Sequence, residues 1–243
     1  MSYNKPHLSP LSPISPRSLP FLLTSTLIFI PTAVLLRHHV SHHGPFRVAP
    51  TIIKLNSRLY SLFSLLLFLA LLPPPVSPLP AFDDSTLRYA YHVSKLYEYV
   101  DVFNVLAAGG SIGAHFGFHH LTTPYLTYVR TLNHAEPRGW RVVAMLNAAH
   151  HAIMYAYFGG VWSAKWLRMV LPWTGFAQLA VGIVGELYII LGSGSAGNEN
   201  EEVWRNMVSL GLLACYFVLF VMEMTALRKN KDADSEKRDG EKK

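Results

Sequence analysis

Residues 207–227, "MVSLGLLACYFVLFVMEMTAL", are almost entirely apolar, and Glu223 is their only charged residue. An α-helix rises about 1.5 Å per residue, so roughly 20 apolar residues cross the hydrocarbon core of a bilayer. The segment therefore predicts a transmembrane helix. It is followed by "RKNKDADSEKRDGEKK" (228–243), whose seven lysines and arginines are typical of a cytosolic membrane flank.

The composition of the whole chain agrees with a lipid environment. Of its 243 residues, 51% are hydrophobic and 15% are charged, whereas soluble domains carry about 25% charged residues. Seven of the 21 lysines and arginines follow this last apolar segment, as in a cytosolic membrane flank, so we expect no nucleic-acid partner. The single cysteine, Cys215, lies in an apolar run and excludes an intramolecular disulfide.

Six further apolar segments precede residues 207–227, and the third and fourth of them are the least apolar. They lie at 20–36, 59–72, 97–112, 115–131, 139–160 and 172–192. The first segment could instead be a signal peptide, but the spans that follow it favour a membrane helix. The sequence therefore predicts an all-α, polytopic membrane protein with about seven transmembrane helices.

Three regions are expected along the chain. Residues 1–19 are rich in Ser and Pro and predict a disordered tail. Residues 20–228 form the membrane domain, and residues 229–243 form a basic cytosolic tail. With seven spans, a cytosolic C-terminus places the N-terminus in the lumen. The basic loop 37–54 fits this orientation, whereas the three arginines of loop 130–141 do not.

Polar groups inside a membrane usually face the interior of the helix bundle, and four sets of them stand out. The first is "KLYEYVD" (95–101), in which Lys95, Glu98 and Asp101 lie within a 120° arc of one helix. The alternative is a salt-bridged helix end at the membrane interface. The second set is "GAHFGFHH" (113–120), where the i, i+4 spacing puts two of the three histidines on one face.

The other two sets lie in the fifth and sixth segments. In "NAAHHAIMYAYF" (147–158), Asn147, His151, Met154 and Tyr155 follow one helical stripe, which predicts the wall of a polar cavity. In "WTGFAQ" (173–178), a threonine and a glutamine are i, i+4 neighbours. The predicted topology brings 113–120 and the histidines of the fifth segment to one cytosol-facing cavity.

Clustered histidines in a membrane support two kinds of chemistry. Several neutral imidazoles with carboxylates can hold a metal ion. An imidazole can also be the nucleophile or the base of an acyl transfer. Four more histidines, His38, His39, His42 and His43, lie in the loop 37–54. They could bind a metal or belong to a titratable loop at the interface.

In order and spacing, the four sets resemble the motifs of the ELO family of very-long-chain fatty acid elongases. The family patterns are KxxExxDT, HxxHH, NxxxHxxMYxY and TxxQxxQ, and the resemblance covers residues 20–228. This chain departs from them at several positions. Val102 replaces the threonine, Phe116 occupies the first histidine position, and the two glutamine positions hold Ala177 and Ala180. The chain thus resembles a divergent member.

The resemblance implies a 3-ketoacyl-CoA synthase of the endoplasmic reticulum that condenses malonyl-CoA with a long-chain acyl-CoA. Such an enzyme needs no cofactor or metal, and it holds the acyl chain in an apolar tunnel between the helices. It implies contact with the lipid bilayer and with other elongation-cycle enzymes, and it allows a homodimer. The residues it implicates in catalysis are His119, His120 and His151. Those it implicates in substrate binding are Lys95, Glu98, Asp101, His115, Asn147, Met154, Tyr155, Thr174 and Gln178. Two alternatives are a di-iron membrane desaturase or hydroxylase, whose HxxxHH spacing this chain has, and a non-catalytic membrane scaffold.

Overall fold

The computed structural model describes residues 15–73, 75–132, 139–161, 165–193 and 200–240, and the regular structure of these parts is entirely helical. The chain order is α1 (Leu19–His43), α2 (Ala49–Leu71), α3 (Asp84–Tyr97), α4 (Tyr99–Ala107), α5 (Ala114–Thr127), a π-helical turn (Tyr128–Leu132), α6 (Trp140–Phe158), α7 (Lys165–Ser193) and α8 (Asn200–Gly240). The predicted all-α fold class is confirmed.

Every predicted span overlaps a helix, but only four helices in the described parts are long and apolar enough to cross a membrane. They contain Leu19–His43, Ala49–Leu71, Trp166–Gly192 and Val203–Ala226. The other helices are shorter or more polar. The chain is therefore a multi-pass membrane protein with four candidate spans in its described parts, and the predicted number of seven is not confirmed.

The helical region that contains the third predicted span, 97–112, begins earlier than predicted. Its first helix, α3, begins at Asp84, where the side chain of Asp83 accepts the backbone N–H of Thr86 at 2.9 Å. A hydrogen bond from the Thr86 hydroxyl, together with this backbone bond, lowers the pKa of the exposed Asp83 carboxyl to about 2. The chain passes from α3 into α4 at Glu98 and leaves the helix after Ala107. Because α3 is amphipathic rather than apolar, hydropathy does not mark its beginning.

Helix α1 is longer than its apolar segment. It continues through His43 and ends at Gly44, whose φ of 81° suits glycine and whose N–H caps the carbonyl of Val40. The predicted loop is therefore helical over its first residues, because nothing before Gly44 and Pro45 breaks a helix. At the other end, the carbonyl of Pro16 contacts His92 of α3. Residues 1–14 of the predicted tail lie outside the described residues.

The bundle is built from helix pairs. Helix α2 packs along α6, α7 along α8, α5 against α8, and α1 against α4. Apolar clusters join them, one around Leu71 and Trp140, one around Phe29 and Val102, and one around Leu213. The outward faces keep large apolar side chains exposed, as lipid contact requires.

Two arginines of loop 130–141 are engaged inside the bundle. Arg130 lies in the π-helical turn, is buried, and approaches Glu186 of α7 with its Nε 2.6 Å from Oε1. Arg141 donates from Nε to the last-turn carbonyl of Leu71 at 3.0 Å. Both side chains have specific partners within the protein. A count of the basic residues in loop 130–141 therefore overstates the positive charge that this loop leaves unpaired.

Candidate active site

Glu98 lies at the centre of a polar cluster inside the bundle. Its side chain is fully buried at the junction of α3 and α4. One oxygen, Oε1, accepts hydrogen bonds from Lys95 Nζ at 2.5 Å and Tyr60 Oη at 2.8 Å, and it lies 3.2 Å from His151 Nδ1. The other oxygen, Oε2, has no hydrogen-bond partner in the described part of the chain. A buried carboxylate is tolerated only when it is paired in this way.

The predicted face of Lys95, Glu98 and Asp101 is directed into the bundle. All three side chains are buried, at 2%, 0% and 8% exposure, so the Lys95–Glu98 ion pair at the end of α3 lies inside the protein and not on its surface. Asp101 accepts a hydrogen bond from Asn56 Nδ2 at 3.0 Å and another from the hydroxyl of Tyr155. This face therefore connects α2, α3, α4 and α6.

The predicted stripe on α6 also faces this cluster. Asn147 accepts from Lys95 Nζ at 2.5 Å, and its amide nitrogen lies 3.2 Å from Gln178 Oε1 and 3.4 Å from His151 Nε2. Met154 of the same helix is half-buried. Gln178 thus reaches the cluster although it is one residue from the family's glutamine position.

Helix α5 contributes the adjacent histidines. His120 is buried and donates from Nδ1 to the backbone carbonyl of Glu98 at 2.9 Å. The ring of His119 lies 5.4 Å from that of His120 and 5.0 Å from that of Tyr216 on α8, in edge-on contacts. Nitrogens of both imidazoles and a Glu98 oxygen lie within 4.8 Å of one another. The three predicted catalytic histidines therefore surround one carboxylate.

His115 is directed away from this carboxylate. Its Nδ1 donates to the carbonyl of Tyr216 at 3.1 Å, and its backbone N–H donates to Glu223 at 3.3 Å. Its ring remains 5.5 Å from that of His119. Phe116, at the family's histidine position, contacts the ring of His120 at a tilt of 40°, with centroids 4.2 Å apart, and packs against an apolar cluster. The structure thus places His115 at the edge of the cluster, against α8.

Thr174 lies outside the central cluster as well. Its hydroxyl is 2.8 Å from Nδ1 of His150, the histidine rotated off the predicted stripe. Most of the predicted substrate residues therefore lie around Glu98, whereas His115 and Thr174 lie outside this cluster.

Sequence reasoning missed three residues of α2 and α3. Asn56 binds Asp101, Tyr60 binds Glu98, and the Tyr97 hydroxyl donates to Asn56 Oδ1 at 2.5 Å. The i, i+4 spacing of Asn56 and Tyr60 was the available signal, since both polar groups lie on one face of an apolar helix. An apolar groove of about 230 Å³ opens beside Tyr60 and Tyr97, between α2 and α3.

The residue types of the cluster also include possible metal ligands. In the described ranges, Glu98, His119 and His120 are the one group of three potential ligands that lie close enough to share an ion. Two irons would need many more ligands, and the Lys95 ammonium on the same carboxylate opposes a divalent cation.

Comparison with known proteins identifies the family. A model of the ELO, GNS1/SUR4 family matches residues 16–231. Neither curated proteins nor solved structures yield a match. The family match covers most of the chain and includes every residue of the Glu98 cluster, so the chain belongs to the GNS1/SUR4 (ELO) family.

Proposed function

We propose that the chain is the condensing enzyme of fatty acid elongation. It would join malonyl-CoA to a long-chain acyl-CoA and form a 3-ketoacyl-CoA two carbons longer. Membership of the ELO family supports fatty acid elongation in general. The observation that carries the specific reaction is the buried contact between Glu98 and His151, beside the imidazoles of His119 and His120.

The hydrogen bonds define which imidazole nitrogens can react. His151 directs Nδ1 to a carboxylate, so Nδ1 carries the proton and Nε2 keeps its lone pair. His120 donates from Nδ1 to a carbonyl, and its Nε2 is likewise left as the acceptor. A carboxylate that orients an imidazole in this way serves the base of many acyl-transfer enzymes. The cluster therefore supplies bases with fixed tautomers.

The reaction would proceed in two steps. First, the imidazole of His119 attacks the acyl-CoA carbonyl, the bond to sulfur breaks, and CoA leaves with a proton that His151 helps to transfer. Malonyl-CoA then loses CO₂, and the resulting carbanion attacks the acyl carbon. The C–N bond to His119 breaks, and the released imidazole takes up a proton from the medium. The products are 3-ketoacyl-CoA, CO₂ and free CoA. Exclusion of water by the bundle protects the acyl intermediate from hydrolysis.

The remaining residues would bind and orient the substrates. Lys95, Asn147 and Gln178 offer polar groups next to the reacting imidazoles. The acyl chain would lie in an apolar tunnel among seven membrane helices, and its length would set the product. The site would open to the cytosol from the endoplasmic reticulum membrane, with a lumenal N-terminus and a cytosolic C-terminus. No cofactor or metal would be needed.

Labelled malonyl-CoA tests this proposal directly. Membranes containing the chain are incubated with it and a panel of acyl-CoAs, and two-carbon-longer products are measured. We expect label in the wild-type product and its loss in His119→Ala and His151→Ala, with His38→Ala as an active control outside the site. Absence of label for every chain length, in folded protein, contradicts the proposal.

The cluster of Glu98, His119 and His120 also has the donor types of a two-histidine, one-carboxylate iron site, which favours an oxidative enzyme as the second candidate. Stoichiometric iron in the purified protein would support this alternative. A scaffold function instead predicts that His119→Ala and His151→Ala leave every lipid phenotype unchanged.

A further inference from the structure

The last two turns of α1 carry four histidines that the proposed reaction does not use. His38, His39, His42 and His43 are all exposed, and they lie on a helix rather than in a loop. Helical geometry therefore sorts them into two i, i+4 pairs on adjacent faces. In each pair the rings are neighbours, with centroids 4.2 Å apart for His38 and His42 and 4.4 Å apart for His39 and His43.

Backbone contacts set the tautomer of one histidine in each pair. Nδ1 of His42 lies 2.8 Å from the carbonyl of His38, and Nδ1 of His43 lies 3.1 Å from the carbonyl of His39. A carbonyl can only accept, so both Nδ1 atoms carry the proton and both Nε2 atoms keep a free lone pair. Metal-ligating histidines are usually oriented by such a bond from their second nitrogen.

The surroundings favour a cation that prefers nitrogen ligands. The C-terminal end of a helix carries a partial negative charge, which stabilises a bound cation. No Asp or Glu occurs before Asp83, so neither α1 nor the segment that follows it supplies a carboxylate for Mg²⁺ or Ca²⁺. Imidazole ligands suit Zn²⁺, Ni²⁺ and Cu²⁺. Arg37 and Arg47 are exposed nearby in the chain and weaken the attraction without supplying a ligand.

We infer that the end of α1 forms two metal-binding sites, each holding one borderline divalent cation between the Nε2 atoms of an i, i+4 histidine pair. Water completes the coordination. The second pair is further ordered by Phe46, whose ring stacks on His39 at 5.3 Å. This inference does not depend on the condensation reaction.

Zinc binding to the purified full chain tests the inference. The protein is prepared in detergent with an affinity tag that lacks histidine, and bound Zn²⁺ is measured by equilibrium dialysis with metal analysis. The pair variants are His38→Gln with His42→Gln and His39→Gln with His43→Gln. We expect each to remove one bound ion, and the quadruple variant to remove both. A quadruple variant that binds as much Zn²⁺ as the wild type overturns the inference.

A rearranged pair separates geometry from histidine content. In the background of His39→Gln with His43→Gln, we add Val40→His together with His42→Val. The chain keeps two imidazoles, at positions 38 and 40, but this i, i+2 spacing puts them on opposite faces of the helix. We expect Zn²⁺ affinity to fall at least about tenfold, the lower end of the loss seen when a metal site is perturbed. Unchanged affinity overturns the paired geometry.

The candidate active site supplies the matched control. His119→Gln with His120→Gln removes two histidines from the other group of potential ligands. We expect this variant to keep both zinc ions. Loss of Zn²⁺ here, with full binding by the quadruple variant, would assign the metal to the bundle interior and overturn the inference. Circular dichroism checks that all variants remain helical.

Discussion

Tyr60 on α2 donates its hydroxyl hydrogen to Glu98 Oε1 over 2.8 Å, from a helix on which the family motifs place no residue. The same hydroxyl lies 3.1 Å from the carbonyl of Ser94, and the ring meets that of Tyr155 edge-on at 4.6 Å. Tyr60 thus fixes the carboxylate that in turn orients His151. A tyrosine in an apolar helix contributes to the site by positioning another residue.

Removal of this hydroxyl should slow condensation without weakening substrate binding. In Tyr60→Phe the ring remains, but Glu98 loses one donor and His151 is held less firmly. We expect kcat to fall about tenfold, as for other residues that orient a reactive imidazole, with little change in KM. Steady-state assays over a range of acyl-CoA concentrations provide both constants.

Tyr125→Phe is the matched control for this substitution. It also removes an interhelical hydroxyl contact, the half-buried 2.7 Å bond from Tyr125 to Thr26, but it leaves Glu98 untouched. Equal losses of kcat in the two variants would mean that Tyr60 stabilises the fold rather than the site.

The ion pair of Lys95 and Glu98 makes a separate prediction about stability. Lys95→Met leaves a buried carboxylate without its cation, which costs about 3–5 kcal/mol in comparable sites. The double variant Lys95→Met with Glu98→Gln removes both charges and should recover most of that loss. Thermal unfolding in detergent measures the difference. A double variant no more stable than the single one would contradict a direct pairing.

The polar faces of the bundle could be predicted because they obey helical periodicity. Lys95, Glu98 and Asp101 repeat every three residues, and Asn147, His151 and Tyr155 every four, so each set shares a face. Polar residues inside a membrane segment usually face protein, which made the inward direction of each face predictable, although not their contact with each other.

The helix ends and the partners from α2 could not be predicted in the same way. Hydropathy marks where a segment is apolar, whereas α3 is amphipathic and α1 continues past its apolar part to Gly44. Asn56 lies before the most apolar part of its segment, and Tyr60 counts as an ordinary aromatic residue in it. Their roles depend on which helix packs beside α3, and hydropathy and periodicity do not specify that packing.

A side chain at Gly113, at the start of α5, would require the carboxylate of Glu223 to move. A Cβ there would lie 2.7 Å from Oε1 of Glu223, the residue whose carboxylate accepts the His115 backbone N–H. We therefore expect Gly113→Ala to displace Glu223, lower the melting temperature and reduce condensation, because α5 carries His119 and His120.

Gly185→Ala is the control for this effect. A Cβ at Gly185 in α7 meets no atom within 4 Å, so alanine should stabilise the helix by about 0.5–1 kcal/mol. Melting temperatures measured in the same detergent compare the two variants. A stabilising Gly113→Ala would show that Glu223 moves aside at no cost.

The two histidines of α5 that face each other should differ sharply in importance. His119 borders the Glu98 cluster, whereas His115 binds the carbonyl of Tyr216 on α8. We expect His119→Gln to reduce condensation at least about 100-fold, the usual contribution of an acid–base group. His115→Gln should cost less than about tenfold, or 1.4 kcal/mol of barrier, since it disturbs only helix packing. Product formation at matched protein levels compares the two variants. An equally large loss in His115→Gln would mean that His115 takes the role of the family's first histidine, from one position earlier in the chain.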